Sequence, residues 1–411
     1  MSSTHDSGLS VHADKKLSLL PPRAYLAAPQ PGLIHLNQAE NYVLRPELLG
    51  ICKTAIDKEL TEETFCYPPG FGGSSFLRTA IASFTNTHFQ PSLPVTENHV
   101  VVGGGSENVI DALLCAICDP GDIVLSLAPV WSGFHLLASR SSGSTILPVP
   151  SPVFQESLSV DCVQRLMATY DAHPEKSRIK ALLIANPHNP CDSVYAPDTI
   201  RKLMDFCHDK GLHYISDEVS ALTAFNTDAD TPFTSALSLV NDDRGGIQRS
   251  RVHVVYSASK DLGSPGMRIG WLISQANSDL LSSVGWKAVW QVSSLSSLYI
   301  TAVLKSANLS ELIVLSHRRL KSVYELLTSR LEAWGVEYVP VKAGVVIHLR
   351  IAKNAQSWED EAAVLAKIKE QGVVIGSGRA YGIGMGWGRM LFSVKEELMM
   401  EVLGKLEKVL G

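Results

Sequence analysis

Apolar and polar positions divide the first two thirds of the chain into two alternating kinds of segment. Val100-Val101-Val102, Ile123 to Leu127, Ile179 to Ala185, His213 to Ser216, Val252 to Tyr256 and Ile269 to Ile273 are short runs dominated by apolar and β-branched residues. Short runs without strict alternation predict strands covered on both faces. Between them apolar residues recur at helical spacing, as at Ile110, Leu113, Leu114 and Ile117, and again over about 197–211. Strands separated by helices predict an α/β fold: a mainly parallel sheet sandwiched by helices. The pattern changes beyond 275. A long helical region (about 276–335) precedes Gly344 to Leu349, a helix near 357–371, Met390 to Ser393 and a closing amphipathic helix over about 395–410. That order predicts a smaller α+β domain. The expected organisation is a disordered tail at 1–20, an N-terminal arm at 21–49 contributing to the small domain, a large domain at 50–310 and a small C-terminal domain at 311–411. Pro21-Pro22 and Pro29-Gln30-Pro31-Gly32 mark the arm as extended.

Composition narrows the classes of function. The chain has 411 residues, 45% hydrophobic and 19% charged, enough to build more than one core. A net charge of −5 with dispersed basic residues offers no nucleic-acid platform. The densest basic cluster, His317-Arg318-Arg319-Leu320-Lys321, reads as the wet face of a long helix. Seven cysteines are scattered without metal-ligand pairing, and Cys115 and Cys118 sit inside an apolar helical pattern, so they read as core. No metal site is expected, and a reducing compartment fits. The polar N-terminus lacks a signal-peptide core, and no apolar run approaches the ~18 residues of a membrane helix, so a cytoplasmic protein without membrane contact is expected.

The candidate chemistry gathers at strand ends, where open α/β sheets bind ligands. Ser257-Ala258-Ser259-Lys260 follows one buried strand, and two glycines, a proline and Arg268 separate it from the next. A partly enclosed lysine loses solvation, which frees the neutral amine that imine formation needs. Serine and arginine beside it suit a phosphate. Lysine plus phosphate grip is the signature of pyridoxal phosphate, although a lone strand-end lysine is more often a solvated surface group. Gly103-Gly104-Gly105-Ser106-Glu107 joins a strand to a helix N-terminus, a ready anion site or else a plain turn. Trp131 at a strand tip is either core or a stacking partner for a planar ring. Asn189 stands between Pro187 and Pro190, where its amide can meet a ligand oxygen. Asp217-Glu218 is an acid pair at a strand end. Glu40-Asn41, after a short apolar run, reads equally as a helix cap or a site. Tyr67 to Ser75 is a glycine-rich loop, by itself a weak signal.

Together these segments resemble fold type I pyridoxal phosphate enzymes of the class I/II aminotransferase family over roughly residues 30–405. Within it the chain is most similar to 1-aminocyclopropane-1-carboxylate synthases. Leu36-Asn37-Gln38-Ala39-Glu40-Asn41 is similar to LGLAEN, Ser257 through Arg268 to SLSKDLGLPGFR, and Trp131-Ser132-Gly133-Phe134 to YPGF. The resemblance implies that Lys260 is the Schiff-base lysine and the base for the Cα proton, and that Asp217 pairs with the pyridinium nitrogen. It implies that Asn189 bonds the ring hydroxyl and Trp131 stacks on the ring. Gly105, Ser106, Glu107 (through its backbone), Ser257 and Arg268 would take the phosphate, Arg389 the substrate α-carboxylate, and Glu40 would lie near the substrate side chain. A tyrosine crossing a homodimer interface to the phosphate would be Tyr67 or Phe71, which would make the active sites shared. Two positions depart from the family pattern: Ser220 replaces the tyrosine of DE(I/V)Y, and the NPxNPxG loop ends in Cys191-Asp192. The expected activity is β- or γ-elimination from a sulfur-bearing amino acid or conjugate. Aminotransfer to a 2-oxo acid is the alternative, and a catalytically silent regulatory protein the remote one.

Overall fold

The computed structural model describes residues 8–17, 31–151, 157–226, 232–240 and 248–411. Pro21, Pro22, Pro29 and Gln30, on which the extended arm was partly read, lie outside them. The stretch expected as a tail carries a short helix, Val11–Leu17. Farther on, β1 (Ile34–His35) pairs in parallel with β10 (Val373–Val374), which lies near the C-terminal end of the chain.

The large sheet is built from β2 (Val100–Gly103), β3 (Ile123–Leu127), β4 (Thr145–Val149), β5 (Ile179–Ala185), β6 (His213–Asp217), β7 (Val252–Ser257) and β8 (Gly270–Ile273). Their order is β2-β8-β7-β6-β5-β3-β4, parallel except that β8 runs against both neighbours. Apolar residues on both faces of β2, β3, β5 and β7 fill two cores, one on each side of the sheet. This is why their sequences run apolar rather than alternating. On one face Trp271 is fully buried against Tyr256 and Phe84. On the other, Val109, Leu113 and Val284 from flanking helices meet Val124, Leu183 and Val255.

One strand of this sheet was not foreseen. β4 forms the sheet edge and reads Thr-Ile-Leu-Pro-Val with a mixed burial pattern. Pro148 lacks the N–H that a central strand needs, and an edge position tolerates the loss.

Beyond the large sheet come helices Leu309–Ala333, Trp358–Glu370 and Glu396–Leu410 and strands β9 (Val346–Leu349), β11 (Gly376–Ser377) and β12 (Gly388–Leu391), which form a second, antiparallel sheet ordered β11-β12-β9. The expected basic cluster does lie on the long helix. Arg319, however, is bound at two points to Glu47, at 3.0 and 2.7 Å, and His317 meets the Leu222 carbonyl. Among the described residues no single helix is long and apolar enough to cross a membrane.

Candidate active site

The carboxyl ends of β5, β6 and β7 open on one pocket, whose lining also includes Gly344 to Val346. Its walls include Ala39, Trp131, Asn189, Asp192, Asp217, Ser220, Lys260 and Gly344. Ser257 ends β7, and Lys260 stands three residues later in the turn. Asp261 fixes that turn by accepting from the Tyr256 hydroxyl at 2.6 Å and the Leu222 amide at 2.8 Å. Lys260 Nζ donates to the carbonyl oxygen of Ala39, which holds the amine in the pocket. Burial, reinforced by the charge of Arg389, lowers its pKa, while Glu107, Glu40 and Asp217 pull the other way.

The acid pair at the end of β6 divides into two jobs. Asp217 faces the pocket, and burial pushes its carboxyl up to about 7 against the opposing pull of the Val219 amide and Lys260. Glu218 points away, accepting from the Ser235 hydroxyl at 2.6 Å and the Ala236 amide at 2.9 Å. It ties the strand end to the helix Ala236–Leu239. The alternation of side chains along a strand makes this split inevitable for consecutive residues.

Asn189 is positioned by a stiff loop, and among the described residues its buried Oδ1 has no hydrogen-bond partner. Trp131 stands on the wall of the same pocket, edge to face with Phe134 at 5.3 Å, its ring over Gly133. Gly105 adopts φ +93°, and the helix Ser106–Ile117 begins directly after it. A Cβ on Gly105 would fall 2.4 Å from Arg268 Nη2, and one on Gly270 2.5 Å from Ser106 N. These glycines keep space open at the start of the helix, with Arg268 Nη2 held 3.0 Å from the Gly104 carbonyl. Glu107 is exposed at that helix start, and Ser257 is buried beneath it.

Arg389 lies on β12, only 5% exposed, directly opposite His348 of β9. Its guanidinium covers the Tyr381 ring at 3.7 Å, Nη2 donates to the Asn37 carbonyl at 3.2 Å, and Nε has no partner among the described residues. Glu40 is nearby but bound to Arg45, and its charge still reaches Lys260. Tyr67 does not line this pocket. It is 87% exposed and packs edge-on against Trp290 at 6.4 Å. Two residues escaped the sequence reading as site groups: His348, and Asp192, noted there only as a departure from a glycine. The signal for Asp192 was its place in the loop, but nothing local told that its carboxyl would be buried in the pocket.

This arrangement fits pyridoxal phosphate. An amine with lowered pKa, a buried carboxyl, an orphaned carboxamide atom and a helix N-terminus beside a guanidinium are the complements of its aldehyde, ring nitrogen, ring hydroxyl and phosphate.

Comparison with known proteins agrees. Residues 32–406 match the family model described as aminotransferase class I and II. A protein of Aspergillus oryzae named probable aminotransferase aclI is 37% identical, over 92% of this chain and 91% of its own length. The 1-aminocyclopropane-1-carboxylate synthase 4 of Solanum lycopersicum is 27% identical, over 81% of this chain and 70% of its own. Among solved structures, an aromatic aminotransferase from Pyrococcus horikoshii superposes with a TM-score of 0.76 at 22% identity, covering 97% of this chain and 98% of that one.

Proposed function

This chain belongs to the class I and II aminotransferase family and is a pyridoxal phosphate enzyme, and from that premise we propose that it is a lyase. Its reaction is β- or γ-elimination from an α-amino acid or conjugate that carries sulfur as the leaving atom. The observation that carries this choice is Ser220 on the pocket wall. A short hydroxyl stands where the family pattern has a tyrosine, which leaves room for a leaving group and removes one donor from the ring-hydroxyl side.

Bound here, the cofactor supplies an electrophilic carbon for the substrate amine and a ring that accepts electrons released at Cα. The chain supplies the rest. Lys260 takes the Cα proton with its neutral amine, held in place by the Ala39 carbonyl, and the ammonium so formed can return a proton to the departing thiolate. Asp217 would pair with the ring nitrogen, whose positive charge would favour the ionised form of a carboxyl that burial otherwise raises. Asn189 offers its carboxamide to the ring hydroxyl and Trp131 covers the ring. Gly105, Ser106, the Glu107 amide, Ser257 and Arg268 hold the phosphate. Arg389 takes the α-carboxylate by a two-point contact that guanidinium suits. Glu40, through its pair with Arg45, borders the substrate side chain.

The partner that suits the exposed Tyr67 loop is a second copy of this chain, which would bring Tyr67 to the neighbouring phosphate. None of the seven cysteines is in a disulfide, which goes with a reducing, cytoplasmic setting. Aminotransfer is the second reading, favoured by the name of the Aspergillus relative and needing the same residues.

Loaded enzyme incubated with S-substituted cysteines and homocysteines is expected to release ammonia, a 2-oxo acid and thiol over many turnovers without an added 2-oxo acid. Stoichiometric conversion of the cofactor to its amine form, with neither ammonia nor thiol released, would overturn the lyase reading. Replacing Lys260 with alanine is expected to cut the rate at least ~10²–10⁴-fold. The same variant should no longer fix the cofactor covalently on borohydride reduction, which mass spectrometry of the intact chain reads directly.

A further inference from the structure

Asp192 occupies the last position of the loop Asn186–Asp192 and adopts φ +47°, a conformation that glycine takes without strain and aspartate tolerates better than most residues. Its side chain is 8% exposed, and among the described residues Oδ2 has no hydrogen-bond partner. Its backbone carbonyl, by contrast, accepts from the amides of both Lys342 and Ala343, so the loop is fixed against that later segment. Space for the carboxyl is made from the other side. Gly344, at φ +116°, would place a Cβ 2.4 Å from Asp192 Oδ1. Two separate segments thus accommodate one buried carboxyl on the wall of the Lys260 pocket.

The neighbours of that carboxyl define what it can do. Oδ2 lies 3.8 Å from His348 Nδ1, but burial drives the His348 pKa down to about 3, so the ring is neutral and the pair is no ion pair. Arg389 is the nearby cation, facing the carboxyl from the strand beside His348. On its own loop His188 is buried and neutral, and the Cys191 thiol is pushed up to about 12. Burial raises the pKa of the Asp192 carboxyl against the opposing pull of Arg389, which favours the protonated form that can donate. A donor beside a guanidinium is suited to an incoming carboxylate.

We propose that Asp192 is a specificity-determining residue whose carboxyl donates a hydrogen bond to the carboxylate of the bound amino acid, alongside Arg389. This rests on the reading that Arg389 receives that carboxylate. The test therefore reads binding rather than turnover. Loaded enzyme is titrated with 2-aminoisobutyrate, which has no Cα proton to lose, and the absorbance shift of the cofactor gives the affinity. Asp192→Gly is expected to weaken binding about tenfold or more, the size of a hydrogen bond to a charged group, while Asp192→Asn, which keeps a donor, stays within about threefold of the parent. Asp192→Gly should melt no lower than the parent, because glycine suits the backbone there.

Unchanged affinity in Asp192→Gly overturns the proposal, as does an equal loss in the asparagine and glycine variants. Tighter binding by Asp192→Asn also overturns it, since that marks Asp192 as an anion competing for Arg389. Arg389→Leu separates the two readings. If it binds as the parent does, the placement of the carboxylate at Arg389 is wrong and the proposal falls with it. If it binds at least tenfold more weakly while Asp192→Gly does not, only the role of Asp192 fails.

Discussion

At the scale of single residues, the pocket is assembled from groups whose ordinary solvation has been removed. Lys260, Asp217 and Asp192 share one enclosure, and burial is the first cause of each pKa shift. For Asp217 the consequence for stability has a definite sign. A carboxyl raised in the fold from 3.8 to about 7 binds its proton more tightly folded than unfolded, so its contribution is fully present below the unfolded value. That contribution is lost as pH rises from about 4 to about 7 and stays lost above. Without cofactor, Asp217→Asn should therefore melt like the parent near pH 4 and above it near pH 7.5. Calorimetry of both proteins across that range checks this. The order should reverse with cofactor present, when Asp217 gains its cation. A pH-independent difference between the two cofactor-free proteins would show that Asp217 keeps its charge satisfied by other means.

Among elements, one close approach lies where β8 passes the glycine turn after β2. Gly103 and Gly270 are register partners, and Gly270 would set a Cβ against the Gly105 and Ser106 backbone. The contact is backbone to backbone, so no side chain can yield. Gly270→Ala is expected to cost about 1–3 kcal/mol through overpacking. The backbone at the helix start must move for the methyl group to fit, so phosphate retention should suffer more than stability. Fluorescence titration with pyridoxal phosphate is expected to show at least tenfold weaker binding, together with a lower melting temperature; unaltered cofactor affinity would count against phosphate binding there. The neighbouring turn is held in another way, by Asp261 between Tyr256 and Leu222, which keeps Lys260 on the pocket side.

For the whole molecule, one surface stands out. Tyr67, Phe71, Trp286 and Trp290 are all exposed, with Trp286 at 62% and Trp290 at 64%. They nevertheless pack on one another, Phe71 against Trp286 at 5.0 Å. A contiguous exposed aromatic patch marks an interaction surface more often than a free one. It adjoins the loop from which the resemblance draws a phosphate contact across a dimer interface. Trp290→Glu places a charge in that patch and, under the homodimer proposal, is expected to yield monomers by light scattering and to reduce cofactor retention. Dimers that persist with unchanged activity would remove the patch from the interface.

Much of this was legible in the chain. Period and length announced the strands of a doubly covered sheet, because residues buried on both faces cannot alternate. Lys260, Asp217, Asn189 and Arg268 were legible because their types follow strands at positions where backbone geometry leaves few alternatives. β4 was not, since an edge strand with one half-exposed face and a proline carries little signal. Local pattern alone did not separate Asp217 from Glu218, which only the resemblance did, and nothing in the sequence brought His348 to the loop of Asp192. The chain by itself determined the class of fold and the chemical types at the strand ends, because both follow from local periodicity. Burial of the Asp192 carboxyl, the space Gly344 leaves for it and the meeting of distant segments in one pocket were decided only by tertiary structure, because desolvation depends on what packs across space.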